Sequence, residues 1–190
     1  MWDPSAYALA AQRLEVEVAA VQAVAEVESA GEALWLVADE WKPPIRLEAH
    51  WFGKLTGYRF NDTHPGISCR KWTPALAART REGAWAQFEE AAALDRDAAI
   101  QASSWGAFQI MGFHFPGLGF PDPGAFADML WTPEGQLDVF ARFIEVNPPV
   151  LDALKRRDWT AFALHYNGPG QVDSYAGRLA RAYQALQGDA

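Results

Sequence analysis

A proline placed directly after a capping side chain is the feature that most limits how this chain can fold. Thr132-Pro133 and Asn147-Pro148 both have this form. Proline lacks an N–H and holds φ near its helical value, so it suits the first position of a helix and is rejected from helix interiors and central strands. Each pair therefore predicts a helix start, with the Thr or Asn side chain available to cap it. Pro4 opens another short helix to Gln12, with Asp3 or Ser5 as cap. Asp158-Trp159 opens one that should stop at Asn167-Gly168, where glycine can take the left-handed conformation of a helix end. Leu14 to Val16 reads as a turn and Glu17 to Glu28 as a helix with an acid in its first turn. Trp85, Phe88 and Ala92 recur at helical spacing, Asp95 can cap a helix through Ala102, and Ser174 to Leu186 reads as a closing helix.

One segment departs from this pattern. Leu34-Trp35-Leu36-Val37 and Ile45-Arg46-Leu47-Glu48 are short strand-like runs separated by Lys42-Pro43-Pro44, which predicts a small β-hairpin. The expected fold class is thus α+β and mostly α-helical. No repeat or low-complexity tether interrupts the 190 residues, so they read as a single domain. Half the residues are hydrophobic and nine are Trp, enough for a sizeable core.

Composition also narrows function. The one cysteine, Cys69, cannot form an internal disulfide, and the four histidines show no metal-ligand spacing, so neither a metal nor another cofactor is expected. A net charge of −8 argues against nucleic acid as a partner. Local basic runs (Arg70-Lys71, Arg79 and Arg81, Lys155-Arg156-Arg157) are read either as solvated surface or as the lining of a groove. No apolar stretch reaches the ~18 residues of a membrane span, and Met1-Trp2-Asp3-Pro4 does not read as a signal peptide.

Stepping 100° per residue along the helix from Glu17 puts Val18, Val21, Val24 and Ala25 on one apolar arc. Glu28 falls on that arc and Glu26 on the opposite side. A carboxyl on an apolar face in the last helical turn should have a raised pKa, because desolvation and the negative end of the helix dipole both disfavour the anion. Such a group is either a proton donor or a structural carboxylate that pairs with an arginine.

Three stretches discriminate between these readings: Glu28-Ser29-Ala30-Gly31, then Ser104-Trp105-Gly106-Ala107-Phe108-Gln109-Ile110-Met111, then His165-Tyr166-Asn167-Gly168-Pro169-Gly170. In this order they resemble the acid, the Gly-aromatic-Gln segment and the Tyr-Asn segment of lysozyme-like enzymes that cut peptidoglycan glycan strands. The chain is most similar to the N-acetylmuramidase domain of bacteriophage endolysins, from about Ser5 to Leu186, and more distantly to goose-type lysozymes and lytic transglycosylases. Phe108 departs from the aliphatic residue of the related segment, and His165 stands where many relatives have alanine.

The resemblance implies a lysozyme-like domain with the hairpin beside the catalytic helix; no separate wall-binding module is expected, because no Pro/Gly/Ser-rich tether sets one apart. It implies Glu28 as general acid for the β-1,4 bond between N-acetylmuramic acid and N-acetylglucosamine. Glu48, on or just after the second hairpin strand, is the candidate second carboxylate, with Asp39, Glu40 and Asp62 as rivals; a structural Glu48 is equally open. Ser104, Trp105, Gln109, Tyr166 and Asn167 would meet substrate: Gln109 by hydrogen bonding, Trp105 by stacking in the groove, and Tyr166 near the acid. Trp35, Trp85 and Trp159 read as core. The partner implied is the glycan strand, approached by a monomer made in the host cytoplasm and acting on the wall after release. Three other readings remain. A lytic transglycosylase would form anhydro-muramic products, a glycan-binding module would need no acid, and a peptidase could use Cys69 with His50 or His64.

Overall fold

The computed structural model describes residues 3–29 and 32–188. In chain order its helices are α1 (Pro4–Leu14), α2 (Val18–Ser29), α3 (Ala49–Leu55), α4 (Arg81–Leu94), α5 (Arg96–Gln101), α6 (Pro123–Met129), α7 (Pro133–Glu145), α8 (Pro148–Arg156), α9 (Trp159–Asn167) and α10 (Val172–Gly188). The strands are β1 (Trp35–Val37), β2 (Glu40–Lys42), β3 (Ile45–Leu47), β4 (Ser103–Trp105) and β5 (Ile110–Met111). Two compact units divide the chain. One takes 1–32 with 133–190, the other is the continuous segment 33–132.

The first unit is helical. The Asp3 carboxylate accepts from Ser5 N–H at 2.8 Å and caps α1, which ends at a left-handed Glu15. α7 begins at Pro133 and buries Leu137, Phe140, Ala141 and Ile144, the spacing of one helical face. α8 begins at Pro148 as expected, but Asn147 does not cap it; its side-chain amide donates instead to Phe143 O at 2.6 Å. Asp158 caps α9 through Ala161 N–H, and Gly168 ends it at a φ of 83°. α10 packs against α2 and α9. Arg13 on α1 donates to Asp138 and Glu145 on α7, in a forked pairing with Glu145. Glu17 stands just before α2 rather than in its first turn, and its carboxylate accepts from Arg157, Tyr183 and Gln187.

The second unit corrects the predicted hairpin. Trp35–Val37 pairs not with Ile45–Leu47 but with Glu40–Lys42, across a two-residue turn in which Ala38 and Asp39 both have positive φ, 49° and 65°. That geometry matches the right-handed twist of a hairpin. Freed from β1, β3 lies antiparallel to β4, with Ile45 opposite Trp105 and Leu47 opposite Ser103, and β4 turns back onto β5. The core holds Phe52, Ile67, Trp85, Phe88, Ile100, Trp105 and Phe126. Trp85 and Trp105 meet edge to face at 6.1 Å, and Phe88 meets Trp105 the same way at 5.0 Å. Both indoles keep their N–H satisfied, Trp85 on Pro43 O and Trp105 on Ile100 O.

Candidate functional site

α2 carries its apolar arc much as the spacing predicts. Val21, Val24 and Ala25 are fully buried and Glu26 is exposed, although Val18, at the open start of the helix, is exposed as well. Glu28 sits in the final turn, half-buried. Burial pushes its carboxyl up to about 7, against weaker pulls downward from the Asn167 amide and the charge of Arg178. Desolvation wins because the Asn167 contact is long, 3.5 Å from Nδ2 to Oε1, and Arg178 is an exposed, solvent-screened charge. Ala30 and Gly31, which complete the first sequence stretch, lie outside the described residues.

α9 delivers Tyr166 and Asn167 to the same place. Tyr166 stacks on Phe162 at 5.1 Å and meets Phe143 edge to face at 5.8 Å, so its ring is held on three residues' worth of aromatic surface with Phe140. Burial, and then the negative charge of Glu28, raise its hydroxyl well above the ordinary tyrosine value. It therefore stays a neutral hydrogen-bonding group at any physiological pH. His165 is exposed. Arg178, on α10, was not singled out in the sequence. Its role follows from the packing of α10 on α2, which no local pattern reveals.

The other predicted residues belong to the second unit. Ser104 and Gln109 form a clamp across the β4–β5 turn: Ser104 Oγ donates to Gln109 Oε1 at 2.9 Å, and Gln109 Nε2 donates to Gly106 O at 2.9 Å. Gln109 is exposed and held at a φ of 49°, a left-handed conformation unusual for a residue with a side chain. The clamp uses one amide N–H and one oxygen lone pair, leaving one of each for another partner. Trp105 corrects its expected place in the groove: it is 2% exposed and its indole is part of the core. Of the tryptophans read as core, Trp85 is buried, whereas Trp35 and Trp159 remain partly exposed.

Glu48 follows β3 directly and occupies the residue before α3, yet its side chain does not cap that helix. Its two oxygens face Arg46 Nε at 3.1 Å and His50 Nδ1 at 3.6 Å, with the side chain 17% exposed. Its backbone N–H is taken by Ala102 O, which extends the β3–β4 ladder by one bond. Among its rivals, Asp39 lies exposed in the β1–β2 turn, Glu40 pairs with Lys42, and Asp62 is exposed. Cys69 donates its thiol to Lys71 O and has no histidine partner among the described residues. No group of three or more His, Cys, Asp or Glu side chains suited to a metal occurs among the described residues. None of the described helices is long and apolar enough to cross a membrane.

A family model described as Muramidase, N-acetylmuramidase, matches residues 17–187. Among solved structures, the chain is similar to that of the Burkholderia AP3 phage endolysin, with 34% sequence identity and a TM-score of 0.86, over 98% of this chain and 71% of that one. No match is found among curated proteins.

Proposed function

Because the chain belongs to the N-acetylmuramidase family and is a peptidoglycan hydrolase of the endolysin kind, we propose that Glu28 is its general acid and that it cuts the β-1,4 bond from N-acetylmuramic acid to N-acetylglucosamine. The observation that carries this reading is the carboxyl at the end of α2, raised to about 7 by burial beside Asn167 and Tyr166. A carboxylic acid near 7 is protonated in a useful fraction at neutral pH and can still lose its proton in the transition state. It gives that proton to the bridging oxygen as the bond to the muramic C1 breaks, and N-acetylglucosamine leaves as an alcohol. Water then adds its oxygen to C1, and its spare proton restores the acid through the carboxylate that activated it.

Glu48 is the second carboxylate in this scheme, stabilising the developing cation at C1 or accepting the proton of the incoming water. Arg46 and His50 fix its two oxygens, and freedom from helix capping leaves it available. Tyr166 and Asn167 orient the acid, while Ser104 and Gln109 present hydrogen bonds to sugar. Trp105 serves only by keeping the β4 backbone rigid. The protein acts as a monomer on the glycan strand, made in the host cytoplasm without entering a membrane.

Glu28→Gln tests the acid directly. It is nearly isosteric, so melting should survive while turnover falls at least ~100-fold. Near-normal wall lysis by that variant overturns the assignment. Mass spectrometry of sugars released by the wild-type chain tests the reaction: hydrolysis gives reducing muramic ends. Products lighter by one water would instead identify the transglycosylase, in which the muramic 6-hydroxyl takes the place of water.

A further inference from the structure

A groove of about 260 Å³ in the second unit lies between the β1–β3 strands, the start of α4 and the β4–β5 turn. Its polar lining is Arg46, Arg79, Thr80, Arg81, Gln87 and Gln109, with Trp35 as its aromatic wall. Three guanidinium residues around one cavity are conspicuous in a chain of net charge −8. Members of the other basic runs are engaged elsewhere: Lys155 pairs with Glu15, Arg157 with Glu17, and Arg70 lies over the Tyr58 ring. In the groove, Arg46 pairs with Glu48 at 3.1 Å. Arg79 forms no ion pair among the described residues, and Arg81 lies over the Trp35 ring at 5.5 Å.

We propose that this groove is a subsite for the carboxylate-bearing branch on the muramic acid residues of the glycan strand. The proposal rests on the muramidase reading for its substrate. The volume is below the ~300–1,000 Å³ of a site that encloses a whole drug-sized ligand. It suits one charged branch better than a disaccharide. Guanidinium forks match carboxylate geometry, and Arg79 offers one without an internal competitor. Gln109 lines the same cavity, is exposed, and keeps one amide N–H and one lone pair outside its clamp, which suits a neutral amide of the same branch. A cationic groove on an anionic molecule also gives an anionic polymer one favourable place to dock.

Two sources can supply the carboxylate: the stem peptide, or the lactyl group itself once the peptide has been removed. The test is calorimetric binding by the full chain carrying Glu28→Gln, with and without Arg79→Gln, to three reduced tetrasaccharides: peptide-bearing, peptide-stripped, and a neutral N-acetylglucosamine oligomer. Arg79 is exposed, so the substitution does not disturb the core. Arg79→Gln should weaken the peptide-bearing ligand about tenfold and leave the neutral oligomer as the unchanged reference. Arg79→Lys should keep part of the affinity, and added salt should erase the difference. A loss confined to the peptide-bearing strand assigns the stem peptide; a loss on the stripped strand as well assigns the lactyl carboxylate. An equal loss on the neutral oligomer, or none on any ligand, overturns the subsite. The Glu28→Gln background reads binding without turnover, so binding of this kind, together with no sugar released from walls by the chain with Glu28 intact, would instead overturn the muramidase reading.

Discussion

At Glu28 the folded chain holds a proton more tightly than an unfolded chain would, and this has a sign that can be measured. The carboxyl rises from 4.5 to about 7 on folding. Its contribution to stability is fully present below pH 4.5 and is lost as pH rises through about 7. Glu28→Gln carries no such charge. Its melting temperature should match the parent at pH 4 and exceed it at pH 8, a comparison that thermal scans at the two values decide. If Glu28 is the general acid proposed above, it should also set the alkaline limb of the pH–rate profile, since the acid must be protonated. Glu48→Gln should lower the rate and leave that limb in place. A limb that shifts by a unit in the Glu48 variant would mean that Glu48 tunes the acid rather than serving beside it.

Helix starts are the elements most readable from sequence, because a cap is local chemistry. Asp3, Asp95 and Asp158 each accept the backbone N–H that their position predicts. Strand partners are not local. Ile45–Leu47 pairs with Ser103–Trp105, far along the chain, and the nearer run at Trp35–Val37 was a plausible wrong partner. The turn that claimed Trp35–Val37 carries Ala38-Asp39 instead of the glycine or asparagine that advertises positive φ. α3 went unread for a related reason, since Ala49–Leu55 follows a strand-like run without a capping bond to mark it. The half-buried setting of Glu28 is legible from its arc, while a role for it comes only with the family resemblance; Trp105 is ambiguous, because a tryptophan that stacks on sugar and one that fills a core share the same letter. The turn makes its own prediction. Ala38→Asn together with Asp39→Gly should relieve left-handed strain and raise stability by about 1 kcal/mol, read as a higher urea midpoint at unchanged slope.

For the whole molecule, chain connectivity sets an order of events. The segment 33–132 closes on itself, whereas the first unit needs 1–32 to meet 133–190. Contacts across a longer loop cost more entropy before they repay it, so the continuous unit should fold first. Pulse-labelled hydrogen exchange during refolding should protect Ile100 and Ala99 before Val21 and Val24, all of them fully buried. Simultaneous protection would show that the units fold as one. Light separates them too. Trp35, Trp41, Trp51, Trp72, Trp85, Trp105 and Trp131 all lie in the continuous unit, while the described part of the other holds Trp159 alone. The edge-to-face cluster at Trp85 and Trp105 makes the native emission of that unit distinctive. Indole fluorescence is therefore a built-in gauge of one half of the protein and nearly blind to the half that carries the acid, so a sample can glow as native after Glu28 has lost its setting.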